Sequence, residues 1–365
     1  MKTYTGIGLM SGSSLDGLDI ALCSFTEQEK GWSFSIDVAE TIPFDERWYR
    51  RLKMVASQPS EALARTDVFF GHFLGKSTRD FIARHGAQPQ FVASHGQTIF
   101  HQPEAGFTCQ IGDGESLVSY LDCPVVTNFR NKNLAKGGQG APLVPFGDQY
   151  LFSNYRCCLN LGGISNMTYG NAAFDISPCN MALNHFAHIV DPSVQYDAEG
   201  NIARQGSFQK DLYDALNALP YYSQKPPKSL GAEWVNEHFF TTVASFPHSP
   251  QDILHTLCHH VAFQISEAIR RMRVKPGVML ITGGGFFNTF LIELIEQACS
   301  PYQVKVDMAV DPLLVAFKEA LIFAFLGLNT LLGRPNILAG STGVKAAILG
   351  GSIHLPASGY TSLLG

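Results

Sequence analysis

The chain has 365 residues, 45% hydrophobic and 16% charged, with a formal net charge of −5 at pH 7. That length supports two domains with separate cores, and mild acidity without any Lys/Arg run excludes the electrostatic footprint of a nucleic-acid binder. Eight Cys without a CxxC pair read as reduced thiols of a cytoplasmic protein. The N-terminal apolar run is broken by Gly6 and Gly8 and does not make the apolar core of a signal peptide. The most apolar stretch, 308–332, contains Asp311, Lys318 and Glu319, which favours a buried core helix over a membrane span.

In chain order, 6–10 reads as a buried strand. Leu18, Ile20 and Leu22 alternate with Asp19, Ala21 and Cys23, the period of a second strand with one buried face. Between them lies a turn of Gly, Ser and Asp, and Gly12, Ser13, Ser14, Leu15, Asp16, Gly17, Leu18 and Asp19 are candidates to cradle a phosphate. Glycines admit close backbone approach, while hydroxyl and amide groups donate to phosphate oxygens. Asp16 and Asp19 only accept, so phosphate reaches them through Mg²⁺, with Asp16 the candidate metal contact. A Walker loop or dinucleotide fingerprint runs from strand into helix; here strand follows strand, which argues against both. On this segment alone an ordinary hairpin tip fits equally well.

An alternating strand over 32–40 and a helix over 52–85 follow. The segment 91–103 is a short apolar strand ending in Ser-His-Gly-Gln-Thr, where open α/β sheets bind ligands, and His95, Gln97 and Thr98 are candidates for substrate contact. The simpler alternative is a capped turn with His95 bonded to backbone. Strands are expected over 108–111 and 123–128 around a helix at 114–121. Arg130 offers a planar fork for a carboxylate or phosphate. The glycine-rich loop 134–145 adds Gly138, Gln139 and Gly140; three glycines in four residues beside a proline suit neither helix nor central strand.

The segment 157–169 repeats the first hairpin, with Gly162, Gly163 and Asn166 in its turn. Two such hairpins suggest a duplicated clamp like that of the actin, Hsp70 and sugar-kinase superfamily. Asp175 is expected at the end of a short strand, before a helix over 181–190, where a carboxylate can act as general base. His255 and His259 fall on one side of a helix over 252–272, but no further zinc ligand has a recognisable spacing. A strand over 277–281 ends in a turn carrying Gly283, Gly284, Gly285 and Asn288. A helix over 289–299 follows, and an apolar helix over 312–330 carries Glu319.

Taken together, GLMSGSSLDGLD, ASHGQTIFHQP, NFRNKNLAKGGQGAPLVP, LNLGGISNMTY, FDISPCNM, YDAEG, PPKSLG, TGGGFFN and KEALIFAFL resemble the anhydro-N-acetylmuramic acid kinase family in type and order. The resemblance implies an α/β fold of two duplicated ribonuclease-H-like (actin-like ATPase) domains, each a mixed sheet flanked by helices, with ATP in the cleft between. The expected boundaries are 1–128 and 129–344, with 345–365 packing back on the first domain. It further implies ATP and Mg²⁺ as cofactors, a small anhydro-amino-sugar as substrate, and cytoplasmic peptidoglycan recycling. Asp175 matches the family's general base and Glu319 a second acid near the sugar. The glycine turns match the nucleotide side, and no nucleic acid or membrane is implied; a homodimer is an open alternative to a monomer. The family's DTGPGN reads here as DISPCN, and two of its aspartates stand as Asn128 and Asn133. Those departures keep two alternatives open: a same-fold kinase for another sugar, or an ATP-binding homologue without turnover.

Overall fold

The structure, a computed structural model, describes residues 1–12, 15–226 and 228–359. The chain forms two compact units, Met1–Leu151 with Phe317–Gly365, and Phe152–Ala316. The expected breaks at 128/129 and 344/345 therefore differ from those observed. Residues 129–151 belong to the first unit, and the chain re-enters that unit within the long apolar helix Pro312–Leu331, whose backbone departs from helical geometry at Phe317.

In the first unit, β1 (Thr3–Met10), β2 (Gly17–Gln28) and β3 (Gly31–Pro43) form an antiparallel meander. Strand β4 (Phe91–Ser94) pairs parallel with β1, and a small hairpin of β5 (Gln97–Gln102) and β6 (Phe107–Ile111) follows. Strand β7 (Val125–Thr127) pairs parallel with β4. The alternation of side chains sorts β1 between two faces. Ile7 and Leu9 join Phe70, Leu74 and Phe81 of helix Ser60–His85 in one core cluster. Gly8 points the other way, where an added Cβ would lie 1.8 Å from the Ala320 carbonyl; only glycine lets the apolar helix come this close.

The second unit continues with β8 (Cys157–Leu161), β9 (Ile164–Tyr169), β10 (Ala172–Pro178), β11 (Gly277–Thr282) and β12 (Val304–Val306). Its core joins inward residues of this sheet to helices Asn180–Val190, Pro250–Met272 and Thr289–Cys299. The sheets share one order: β3-β2-β1-β4-β7 in the first and β10-β9-β8-β11-β12 in the second. Both run antiparallel, antiparallel, parallel, parallel. This is the expected duplication. A final strand, β13 (Ser352–His354), adds antiparallel to β7 at the edge of the first unit's sheet.

Several boundaries move. The helix expected over 52–85 is two, Glu46–Met54 and Ser60–His85, separated by a 3₁₀ turn, Val55–Ser57. The loop expected from 134 to 145 is shorter, because helix Asn131–Ala135 precedes it and helix Val144–Leu151 begins before it would end. Pro312–Leu331 is long and apolar enough to cross a membrane, but 78% of its apolar window is buried in the protein, as expected of a core helix.

Candidate active site

The first unit gathers the β1–β2 hairpin, the SHGQT strand end and Arg130. Gly12, Leu15 and Asp16 lie in the turn between β1 and β2, whereas Ser13 and Ser14 lie outside the described residues. Leu15 has a left-handed φ of 56°, a conformation that a branched side chain adopts at a cost and that recurs at ligand-binding turns. Gly17 opens β2, and Leu18 is wholly buried in the core, so the structure does not expose it to a ligand. Ser11 Oγ donates to Gln97 Oε1, which ties the hairpin to the SHGQT segment.

Asp19 accepts from Thr41 Oγ1 at 2.6 Å. Burial, then the neighbouring charges of Asp16 and Glu319, push its carboxyl up to about 6. A carboxyl raised by two neighbouring acids suits a cation. Among the described residues, however, no three His, Cys, Asp or Glu side chains stand close enough to hold a metal directly. The arrangement fits Mg²⁺, which usually takes one or two carboxylates and completes its shell with phosphate oxygens and water.

Arg130, His95 and Gly140 are brought together as one group. Arg130 donates to His95 Nε2 through Nε (3.2 Å) and Nη2 (2.9 Å), and through Nη1 to the Gly140 carbonyl (2.9 Å). A guanidinium only donates, so His95 Nε2 is the accepting nitrogen and Nδ1–H donates to the Gly96 carbonyl at 2.9 Å. Burial and the Arg130 charge hold His95 at about 3, neutral at any working pH. The backbone bond of a capped turn is therefore present, together with a second role for His95 in aiming Arg130. Burial also lowers Arg130 to about 10, opposed by Glu319.

The glycine loop is organised by Asn133. Its Oδ1 accepts from Gly140 N (2.7 Å) and its Nδ2 donates to Thr342 Oγ1 (2.7 Å), while Gln139 N donates to the Thr342 carbonyl. An added Cβ on Gly138 would strike Asn133 Oδ1 at 2.2 Å. The amide at 133 thus works as a buried loop clip. Thr98 lies on β5, where its hydroxyl accepts from Gln110 Nε2. Glu319 is held above the ordinary carboxylate range by burial, against the opposing charges of Lys318 and Arg130. Next to it, Lys318 pairs with Asp148 at 2.6 Å, both side chains almost wholly buried.

The second unit carries Asp175 and the remaining glycines. Asp175 is within β10, opposite Asn166 of β9, and not at a strand end as expected; a bulge between Asp175 and Ser177 interrupts the pairing there. Bulges re-aim side chains beside sites. Leu230 N donates to Asp175 Oδ2 at 2.9 Å, and no other hydrogen bond reaches this carboxylate among the described residues. Burial raises the Asp175 carboxyl; the Leu230 bond and the Lys228 charge oppose that rise.

The Gly162 and Gly163 carbonyls accept from Asn180 N (3.0 Å) and from Cys179 N and Met181 N (2.9 and 3.1 Å), and Asn180 Nδ2 donates to the Leu161 carbonyl. An added Cβ would lie 2.6 Å from Asn160 Oδ1 at Gly283 (φ 84°), and 2.6 Å from Leu161 Cβ at Gly285. Gly162, Gly163, Gly283, Gly284 and Gly285 therefore belong to one nest of turns. Asn288 instead caps helix Thr289–Cys299 through its Oδ1 and Leu291 N, a structural use of that side chain. His255 and His259 form a bonded pair (Nε2···Nε2 3.2 Å), with His255 Nδ1 on the Ala203 carbonyl.

A sequence model of the anhydro-N-acetylmuramic acid kinase family matches residues 4–356. The chain belongs to the anhydro-N-acetylmuramic acid kinase family. The relative from Vibrio vulnificus (strain CMCP6) is 32% identical over 356 residues, covering 93% of this chain and 95% of that one. The relative from Shewanella sp. (strain W3-18-1) is 34% identical over 376 residues, covering 96% and 99%. Among solved structures, the ADPNP-bound activator of the 2-hydroxyisocaproyl-CoA dehydratase from Clostridium difficile aligns over 91% of this chain and 99% of its own, with a TM-score of 0.43 and 13% identity. In the DISPCN segment Ser177 is buried and bonded to Ser165, and Cys179 is buried.

Ser11, Thr41, Asp148, Tyr221 and Lys228 have no assigned role in the sequence, and Lys318 figures there only as a charge inside an apolar run. Two signals existed: a lysine next to Glu319 inside an apolar run, and the PPKSLG motif, which carried no assigned role.

Proposed function

We propose that the protein uses ATP and Mg²⁺ to open the 1,6-anhydro bridge of anhydro-N-acetylmuramic acid with water and to phosphorylate the O6 released. The products are N-acetylmuramic acid 6-phosphate and ADP. Water attacks the anomeric carbon as its C–O6 bond breaks, and O6 carries the freed electron pair to the γ-phosphorus. The proton of the attacking water passes to Asp175 and later to solvent. Phosphoryl transfer needs mainly positioning and neutralisation of charge. Asp16 and Asp19 would hold Mg²⁺, which neutralises phosphate charge; the hairpin amides and the Gly162–Gly163 and Gly283–Gly285 turns serve the nucleotide. His95, Gln97, Thr98, Arg130 and the Gly138–Gly140 loop serve the sugar, with Glu319 beside it.

The family match over residues 4–356 carries this reading, and the single-donor carboxylate of Asp175 supports its role as base. The reaction takes place in the cytoplasm, among the steps that recycle cell-wall sugars. ADP release with purified anhydro-N-acetylmuramic acid, compared with a panel of free amino sugars, tests it. Turnover confined to the anhydro sugar is expected; turnover of a free sugar alone would favour the other kinase, and none at all the binding protein.

A further inference from the structure

We propose that Lys228 and Tyr221 are positioning residues that hold Asp175 in place; this rests on Asp175 being the general base. Four hydrogen bonds close a ring through these three residues and Leu230. Tyr221 Oη donates to the Asp175 carbonyl at 2.7 Å. Lys228 Nζ donates to the Tyr221 carbonyl at 3.2 Å. Asp175 N donates to the Lys228 carbonyl at 3.1 Å, and Leu230 N reaches Asp175 Oδ2 at 2.9 Å.

Each bond addresses a different freedom of Asp175. The two bonds to its backbone fix Asp175 at the last paired position before the β10 bulge, where ladder pairing is interrupted. The Leu230 bond occupies one carboxylate oxygen and so orients the other. The Lys228 ammonium stands 4.1 Å from the centre of the Tyr221 ring, a cation–π contact that fixes the lysine and the tyrosine against each other.

Lys228 is also the cation that opposes the burial of Asp175. The charged and titratable groups facing Lys228 are Asp175 on β10, Tyr221 and Tyr222 on the 3₁₀ turn Pro220–Ser223, and Arg271 and Glu267 on helix Pro250–Met272. Arg271 does not substitute for it, because its guanidinium is engaged by Glu267 and by the Tyr222 carbonyl. Burial, and then the Arg271 charge, lower Lys228 to about 8, so most of it stays cationic at neutral pH.

The charge and the geometry are separable by substitution. With the full-length enzyme, anhydro-N-acetylmuramic acid and Mg-ATP, kcat and KM are measured from pH 4.5 to 8.5 for wild type, Lys228→Met, Lys228→Arg, Tyr221→Phe and Asp175→Asn. In Lys228→Met the acid limb of kcat should move up by on the order of one pH unit, with KM for ATP little changed. Lys228→Arg should restore the wild-type limb. Tyr221→Phe, which keeps the charge but loses one bond, should lower kcat several-fold without moving the limb.

If Lys228→Met folds poorly, Lys228→Gln keeps a donor without charge and should show the same shift. Superimposable profiles for wild type and the uncharged Lys228 variant, with Asp175→Asn inactive, overturn the ring and leave the base intact. Wild-type turnover in Asp175→Asn overturns both readings.

Discussion

Asp175 tests the chemistry at the scale of one residue. Asp175→Asn retains the shape and the Leu230 hydrogen bond but loses the proton acceptor. Turnover should fall on the order of a hundred- to ten-thousand-fold. Nucleotide affinity by calorimetry should hardly change, because the loss falls on the transition state. Asp19 makes the opposite kind of prediction, in which function opposes stability. Its carboxyl rises from 3.8 to about 6 on folding, so the folded state binds that proton more tightly than the unfolded chain. The protein therefore loses stability as pH rises from about 4 to 6. Asp19→Asn keeps the Thr41 bond and should gain roughly 1–3 kcal/mol over wild type at pH 7. The gain should vanish at pH 4 in urea melts, and Mg-ATP affinity should drop. A wild-type stability curve for the variant across that window would exclude a strained carboxylate at Asp19.

Between elements, the tightest constraints are close approaches and a buried charge pair. Gly283 combines a left-handed φ with a place for Cβ only 2.6 Å from Asn160 Oδ1. Gly283→Ala should cost about 1–3 kcal/mol in thermal or urea unfolding, and should weaken ADP binding. The Lys318–Asp148 pair links the apolar helix to helix Val144–Leu151. Lys318→Met leaves a buried carboxylate without its cation, at a cost on the order of 3–5 kcal/mol. Asp148→Leu added to Lys318→Met should recover much of that stability. A double variant no more stable than the single one would remove the ion pair as the cause.

At the scale of the whole molecule the two units are unequal in how the chain builds them. The second unit is one continuous segment, Phe152–Ala316, with its own sheet and core. Expressed alone it should unfold cooperatively, by circular dichroism against urea. The first unit needs two segments. Residues 1–151 alone lack the helix that contributes the fully buried Phe323 and Phe325, as well as edge strand β13. That fragment should be molten or insoluble, and adding a peptide of residues 317–365 should restore cooperative unfolding.

What the sequence determined by itself was local and repetitive. Alternation over 18–22, glycine-bearing turns at 11–17, 162–163 and 283–285, and two similar hairpins were enough for a duplicated α/β fold. Period-two patterning and turn chemistry depend only on neighbours along the chain. Family motifs added the identity of Asp175 and Glu319. Tertiary structure decided everything that depends on partners far apart in sequence. His95 lies 35 residues from Arg130, and Leu230 lies 55 from Asp175, yet each pair is in hydrogen-bond contact. The bond from Asn133 to Thr342 and the Lys318–Asp148 pair are also of this kind. A residue's spacing along the chain carries no information about such pairs, because burial and strand register set both the contact and the charge state it imposes.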